Sequence, residues 1–215
     1  YNCNAYDAHV ASGTERPWIV HLPTHLESYF SVRDFGTGLS DESVREVFTT
    51  YFHSTKTNSN AFVGALGLGS KSAFSLVDSF NVVSYYNGVK TDYCCYKDEH
   101  GEPQIAALVS SDTDEPNGLE VSMSVEGRID DFADEAVNVF KYFDVLPEIN
   151  DKEVVENVIK AKEDYRFVCD EGSFNTGYGS LYARMGNVAY KIPYDYQSDL
   201  SGFINFEIGD LSFNA

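Results

Sequence analysis

Four short blocks of the chain contain the residue types that could bind a charged ligand. They lie between residues 4 and 121, and each combines an acid or an amide with small residues, or is rich in glycine. An ionised carboxylate only accepts hydrogen bonds, so it pairs with an amino group. Glycines ahead of a helix leave backbone amides available for phosphate. The first to fourth blocks are Asn4–Asp7, Asp34–Gly38, Gly64–Gly69 and Asn117–Val121.

The residues around the second block predict a strand, a glycine turn and a helix. Tyr29–Arg33 alternates like a strand, and Ser40–Glu42 begins a segment with apolar residues at helical spacing. Glycine and aspartate also favour turns for backbone reasons alone, which is the alternative interpretation of Asp34. The apolar positions of the helix are Val44, Val47, Phe48, Tyr51 and Phe52.

The third block runs into a second predicted helix. Two other phosphate-binding motifs fit it poorly. A P-loop needs lysine directly after its second glycine, whereas Ser70 separates Gly69 from Lys71. A Rossmann turn needs an acid about 20 residues further on, and Asp92 and Asp98 match this poorly. Neither motif is favoured. Lys71 either contacts phosphate or is a solvated lysine in the first turn.

The rest of the first 146 residues predicts an α+β fold, in which helices cover one face of a mixed sheet. Asn87-Gly88 between two alternating runs is a strong hairpin signal. We expect strands over 81–86, 89–96, 103–110 and 118–125. We expect a helix from Ser70 to Val77, with Ala73, Leu76, Val77 and Phe80 on its apolar face, and another from Asp130 to Asp144, with Phe132, Ala136, Phe140 and Phe143 facing inward.

In their order and spacing, the four blocks resemble the nucleotide site of the GHKL ATPases, which include gyrase B subunits, ninety-kilodalton heat-shock chaperones, histidine kinases and MutL. The resemblance implies a Bergerat-type ATP-binding fold, a two-layer sandwich, over residues 1–146. It implies part of a second α/β domain, similar to a transducer or middle domain, over residues 147–215. The implied cofactors are ATP and Mg²⁺.

The resemblance also implies roles for individual residues. Asn4 would complete the coordination of Mg²⁺, a hard cation that suits an oxygen ligand, although a helix-start cap is the alternative. Asp34 would accept a hydrogen bond from the adenine amino group. The residues implied at the nucleotide are Asn4, Asp7, Ala8, Asp34, Gly36, Gly38, Lys56, Gly64, Leu66, Gly67, Leu68, Gly69, Ser70, Lys71 and Leu119.

Two further segments bear on the activity. The polar stretch Thr49–Val63 corresponds to the ATP lid of the family, and Ser54–Lys56 resembles the lid signature of the MutL and topoisomerase branch; an ordinary loop is the alternative. In the fourth block Leu119 replaces the usual threonine. The general-base glutamate of hydrolysing members would precede Tyr1. We therefore assign no catalytic residue and expect ATP to be bound better than it is hydrolysed.

Three phrases, around Asn4, around His53 and over 64–72, resemble the rIIA lysis-inhibitor family of T-even-like phages. That resemblance implies a protein in the cytoplasm of infected bacteria, also peripheral at the inner membrane, which acts on lysis timing and the exclusion of competing phages. It would pair in an ATP-dependent homodimer and contact a host or phage protein that the sequence does not identify.

Composition limits the remaining functions. The formal net charge is −19, from 34 acidic and 15 basic residues, which repels nucleic acid and anionic lipid and argues against a DNA clamp. The spacing of the four cysteines and five histidines predicts no zinc site, and no apolar run is long enough for a membrane span. The alternative function is an acidic scaffold with a vestigial nucleotide site. A histidine kinase is disfavoured because the third block lies too far into an extended lid.

Overall fold

The computed structural model of the protein describes residues 1–49, 69–127, 129–177, 179–193, 199–207 and 210. These residues form two compact units. The first contains 1–49, 69–132 and 147–150, and the second contains 133–146 and residues from 151 onwards. The division of the chain into domains 1–146 and 147–215 stays a prediction.

The first unit is built on a mixed sheet, as the sequence predicted, and the sheet has seven strands. Its strand order is β5-β4-β3-β6-β2-β1-β7. The edge strand β7 pairs in parallel with β1, and the other neighbouring strands are antiparallel. The strands are β1 (Ile19–His21), β2 (Tyr29–Arg33), β3 (Ser79–Tyr86), β4 (Val89–Lys97), β5 (Pro103–Asp112), β6 (Gly118–Ser124) and β7 (Glu148–Ile149).

The first helix, α1 (Asn2–Ser12), begins after Tyr1, which occupies the N-cap position. Asn4 therefore lies inside the helix, and the alternative that it caps the helix start is wrong. The helix ends at Gly13, whose φ of 68° is left-handed and whose amide donates to the carbonyl of His9. The first block, Asn4–Asp7, therefore lies wholly within this helix.

The second helix, α2 (Asp41–Thr49), begins directly after the glycine turn. The Ser40 hydroxyl oxygen accepts from the amide of Ser43 at 3.2 Å and so satisfies a donor of the first turn. The Tyr93 hydroxyl donates to Asp41 at 2.9 Å, which fixes the start of the helix to β4. Together with the Arg45 guanidinium, this hydrogen bond lowers the pKa of Asp41.

One face of the sheet packs against α2 and a short 3₁₀ helix (Gly69–Ser75). The helix side chains that pack here are three or four residues apart, and the strand side chains are at alternate positions. Burying each large apolar side chain contributes about 1.5–3 kcal/mol. The buried cluster contains Val44, Phe48, Ala73, Phe80, Val82, Tyr93, Cys95, Val121, Met123 and Val125.

The helix predicted from Ser70 to Val77 is wrong in type and length. The observed 3₁₀ helix ends at Ser75, and the amides of Leu76 and Val77 both bond to the carbonyl of Ala73. Leu76 is 53% exposed instead of facing inward. Phe80 belongs to β3, where it alternates into the core with strand periodicity, so the apolar spacing came from two different elements.

The predicted hairpin is confirmed. Asn87 and Gly88 join β3 to β4 with φ values of 51° and 78°, and two successive positive φ angles are typical of a type I′ turn. The last helix of this region, α3 (Ile129–Phe140), ends before the predicted Asp144. Phe143 lies beyond the helix but is still buried, edge-on to Phe140 at 5.3 Å between ring centroids.

The second unit contains α4 (Lys152–Glu163) and a five-stranded sheet of order β11-β10-β12-β9-β8. Asp151 caps α4 by accepting from the amides of Glu153 and Val154. None of the helices in the described ranges is long and apolar enough to cross a membrane. The strands are β8 (Phe167–Cys169), β9 (Gly172–Thr176), β10 (Leu181–Met185), β11 (Val188–Lys191) and β12 (Leu200–Phe206).

Candidate functional site

The second block forms the loop that leaves β2, and its Asp34 is held by backbone groups on two sides. The amide of Asp34 donates to the carbonyl of Leu119 at 2.8 Å. Its Oδ1 accepts from the amide of Gly36 at 2.9 Å and from the amide of Leu119 at 3.2 Å. Asp34 is half-buried. The second and fourth blocks, which are 85 residues apart, therefore meet at this side chain.

The first block approaches the same loop through α1. A Cβ atom on Gly36 would lie 2.7 Å from the Cβ of Ala8, so only glycine lets the loop come this close to the helix. Asn4 is half-buried and four residues before Ala8, and residues at this spacing share one face of a helix. Asp7 is only 1% exposed. The helix thus places Asn4 on the face that Ala8 presents to the second block.

His9, which was not predicted from the sequence to lie at the site, joins α1 to the second block directly. The amide of Phe35 donates to Nε2 of His9 at 2.8 Å, and this hydrogen bond is buried. The ring lies edge-on to Trp18, with 5.7 Å between centroids. Burial lowers the pKa of His9. His9 lies four residues after Ala5, and both residues are buried on the same face of α1. This helical spacing was the feature of the sequence that could have indicated His9.

Arg33, the last residue of β2, was also missed. Its Nη1 donates to the carbonyl of Asp34 at 2.6 Å, and its Nη2 donates to the carbonyl of Pro116 at 2.9 Å. The guanidinium lies over the ring of Tyr85, 3.7 Å from the centroid. Burial lowers the pKa of Arg33. The side chain therefore holds the loop before β6 against the second block.

The fourth block needs its glycine for this arrangement. Gly118 has a φ of 146°, and a Cβ atom there would collide with the carbonyl oxygen of Asp34 and lie 2.5 Å from Nη1 of Arg33. Gly38 closes the turn of the second block beside Gly118 and Tyr85. Leu119 is half-buried, and its backbone contacts Asp34 without using its side chain.

The third block is described only at its end. Gly69, Ser70 and Lys71 are the first residues of the 3₁₀ helix, which has seven residues. The hydroxyl of Tyr1 is hydrogen-bonded to the Ser72 side chain and the Ala73 backbone, and burial raises the pKa of this hydroxyl. The start of α1 is thereby attached to the 3₁₀ helix. Five predicted site residues lie outside the described ranges, namely Lys56, Gly64, Leu66, Gly67 and Leu68, as does most of the predicted lid.

A metal ion at this site would depend on Asn4. Within the described ranges, no group of three or more histidine, cysteine or acidic side chains is arranged to hold one. Mg²⁺ keeps several water and phosphate ligands and takes few from protein, so one amide oxygen on α1 fits it. The donor set therefore suits magnesium bound together with a phosphate ligand.

Comparison with known proteins identifies the fold. No protein-family model matches the sequence, and no curated protein sequence matches it significantly. The structure is similar to the ATPase region of topoisomerase II from Saccharomyces cerevisiae, with a TM-score of 0.60 and 15% identity over 87% of this chain and 60% of that chain. A second structure of that region, bound to ICRF-187 (dexrazoxane), gives a TM-score of 0.59 with the same identity and coverage.

The chain thus spans 60% of the length of the solved structures it matches. At 15% identity, the similarity shows the fold alone. That fold is α+β with a mixed sheet, as in the ATPase region of topoisomerase II, and the fold class predicted from the sequence is confirmed.

Proposed function

We propose that the first unit binds an adenine nucleotide together with Mg²⁺. The observation that carries this proposal is the attachment of Asp34 to the fourth block, beside α1. A carboxylate held by two backbone amides has a defined direction, which recognition of a base requires. The similarity of the fold to a region described as an ATPase supports the same function.

Adenine recognition would use the carboxylate of Asp34. Its Oδ1 accepts from the amides of Gly36 and Leu119, which fixes the direction of the carboxylate that we expect to accept from the adenine amino group. Guanine carries a carbonyl oxygen at the corresponding position, and two acceptors repel each other. The site should therefore prefer adenine to guanine nucleotides.

The phosphates would lie toward α1 and the third block. Asn4 would hold Mg²⁺, which would neutralise phosphate charge near a protein of net charge −19. The backbone amides of the third block and the lysines Lys56 and Lys71 are proposed phosphate contacts on the basis of the sequence motif. The strong negative charge favours neither DNA nor anionic membranes as partners.

Nucleotide binding of this kind would operate a conformational switch. In the proposed cycle, Mg·ATP closes the lid, two copies of the chain pair, and slow hydrolysis returns them to the open state. The narrower hypothesis of an rIIA-like role in lysis inhibition and exclusion of competing phages, with a cytoplasmic or peripheral inner-membrane location, rests on the sequence phrases alone. The acidic scaffold is the second candidate, and the Leu119 substitution favours it.

The test is calorimetric titration of the chain with a non-hydrolysable ATP analogue, with and without Mg²⁺, and with GTP. Asp34→Asn should weaken adenine nucleotide binding by at least about 1.4 kcal/mol, roughly tenfold, because a donor then faces a donor. Asp78→Asn is the matched control, because the substitution removes the same charge from a side chain that is 98% exposed.

Magnesium-dependent, adenine-selective binding that Asp34→Asn loses and Asp78→Asn keeps would establish the site. Absence of binding by folded wild-type protein would support the scaffold. Equal affinity in wild type and Asp34→Asn would remove Asp34 from the site. Light scattering with and without the analogue would show whether nucleotide drives two copies together.

A further inference from the structure

The hydrogen bond between Phe35 and His9 lies beside the residue on which the proposed function depends. Phe35 follows Asp34 directly, and its amide donates to Nε2 of His9 at 2.8 Å. Both residues are 7% exposed, so water does not readily replace either partner. An amide buried without an acceptor is costly. The backbone conformation after Asp34 therefore depends on one imidazole nitrogen.

This geometry defines the protonation state of His9. A nitrogen that accepts a hydrogen bond carries no proton, so a neutral ring must carry its proton on Nδ1. An imidazolium has a proton on both nitrogens and would place a donor against the donating amide of Phe35.

We propose that His9 is a positioning residue for nucleotide binding: the neutral ring, with its proton on Nδ1, holds the Phe35 amide and so sets the direction of the Asp34 carboxylate. This inference rests on the proposed function. His9 would act through the loop and not by touching the nucleotide.

The contacts around the ring agree with this role. Trp18 packs edge-on against His9. Its Nε1 donates to the side chain of Asn2 at 3.2 Å, and this hydrogen bond holds the indole ring against α1. Phe35 packs at 6.2 Å between centroids. The imidazole, which belongs to α1, therefore has packed neighbours on the segment before β1 and on the second block.

Charged groups near the hydrogen bond come from each of these segments. Arg16 lies 3.5 Å from the centroid of Phe35, and Arg33 lies 4.8 Å from it on the strand that leads into the loop. Asp34 precedes Phe35, and Asp7 is the acid closest to His9 in sequence on α1. Burial lowers the pKa of His9 below its ordinary value of 6.5, which keeps the ring neutral at pH 7.

The proposal predicts a pH dependence of binding with a definite sign. Nucleotide affinity should be full while His9 is neutral and should fall as the pH drops below 6.5 and through the lowered pKa. A glutamine at this position keeps an acceptor oxygen and does not titrate. The phosphates of the ligand titrate equally for every variant, so differences between variants report on the protein.

The experiment measures the affinity for the Mg·ATP analogue between pH 5.5 and pH 8 for wild type, His9→Gln, His9→Leu and His21→Gln. At pH 8 we expect a loss of roughly tenfold for His9→Leu and of less than about threefold for His9→Gln. On acidification His9→Gln should lose less affinity than wild type. His21→Gln should follow wild type, because His21 bonds to Tyr29 and Glu27 and not to the second block.

A second measurement needs no nucleotide. Nitrogen-15 NMR of the imidazole distinguishes the two neutral tautomers, and the proposal requires the Nδ1–H form for His9, with a protected Phe35 amide. The decision does not depend on whether His9→Leu folds, because the glutamine variant and the tautomer each test the proposal.

The outcomes separate the two hypotheses. If folded wild type binds no nucleotide at pH 8, the proposed function fails, and this inference fails with it. If wild type binds but the ring is the Nε2–H tautomer, or if His9→Gln has the same pH profile across the pH range in which the His9 ring gains its second proton, the inference alone is overturned.

Discussion

Asp34 and Leu119 hold each other through two hydrogen bonds that join the end of β2 to the start of β6. One runs from the amide of Asp34 to the carbonyl of Leu119, and the other runs from the amide of Leu119 to the carboxylate of Asp34. Both use the backbone of residue 119. The contact that places the carboxylate is therefore independent of the side chain at residue 119, where the motif that the sequence resembles has threonine.

This relationship predicts the effect of restoring the threonine. Leu119→Thr should keep the position of Asp34 and add a hydroxyl beside it, which would raise the affinity for an adenine nucleotide by about two- to tenfold. Calorimetric titration at pH 8 measures this gain. Leu108→Thr is the matched control, because Leu108 is 65% exposed on the edge strand β5. Equal affinities in wild type and Leu119→Thr would show that side chain 119 does not reach the ligand.

Gly118→Ala tests the close approach between β6 and the second block. The added Cβ would collide with the carbonyl oxygen of Asp34, and alanine would also have to adopt the φ of 146° that Gly118 has. We therefore expect a loss of about 2–4 kcal/mol in unfolding free energy. Urea unfolding followed by Trp18 fluorescence reports on the first unit, because Trp18 is the single tryptophan and is 1% exposed.

Gly101→Ala separates strain from collision. Gly101 also has a positive φ, of 82°, but nothing lies within 4 Å of its added Cβ, so it should lose only about 1–2 kcal/mol. Equal losses in the two variants would mean that the contact with Asp34 adds no cost of its own.

Much of the first unit could be predicted because its local signals agree with its long-range packing. β2 was predicted with its observed bounds, and Asn87-Gly88 fixed the hairpin because its turn type needs positive φ at both residues. Asp34 lies, as predicted, in the turn that follows β2, and its role at a nucleotide stays a prediction. In each case the sequence within a few residues determines the structure.

The remaining features depend on partners far away in sequence. His9 bonds to a residue 26 positions away, and Arg33 bonds to Pro116, 83 positions away. No periodicity within a window of 18 residues contains such a relationship. The 3₁₀ helix was predicted as an α-helix because Phe80, which belongs to the following strand, lies at helical spacing from Ala73 and Leu76.

Arg33 should be important for stability because its guanidinium, in a residue that is only 7% exposed, donates to two backbone carbonyl groups. Arg33→Met removes both donors, and a hydrogen bond from a charged group contributes about 1.5–3 kcal/mol, so we expect a loss of about 3 kcal/mol. Arg33→Lys should lose about half as much, because an ammonium group cannot reproduce the two-pronged donor. Trp18 fluorescence during urea unfolding measures both.

Arg45→Met is the control for the arginine variants. Arg45 is 44% exposed and pairs with Asp41 across one helical turn at 3.0 Å, and such pairs contribute at most about 1 kcal/mol. If Arg33→Met lost no more unfolding free energy than Arg45→Met, the hydrogen bonds from Arg33 to the carbonyls of Asp34 and Pro116 would not stabilise the fold.

Glu120 predicts a pH dependence of stability on the sheet face that carries Arg33. Burial raises the pKa of Glu120 above its ordinary 4.5, while the positive charges of Arg33 and Lys90 oppose the shift. The folded state then holds an additional proton between pH 4.5 and the raised pKa. Stability from this group is therefore present below pH 4.5 and is lost as the pH rises through the folded pKa.

Glu120→Gln removes this loss, so its unfolding free energy minus that of wild type should increase from pH 4 to pH 8 in urea titrations followed by Trp18 fluorescence. Glu126→Gln, at an exposed position, is the matched control for the loss of a carboxylate. The direction of this change with pH shows whether burial of Glu120 or its attraction to Arg33 is the larger effect, because Glu120 lies opposite Arg33 in the pairing of β2 with β6. A difference that decreases with pH would mean that attraction to Arg33 outweighs burial, and that the pair stabilises the strand end that leads to Asp34.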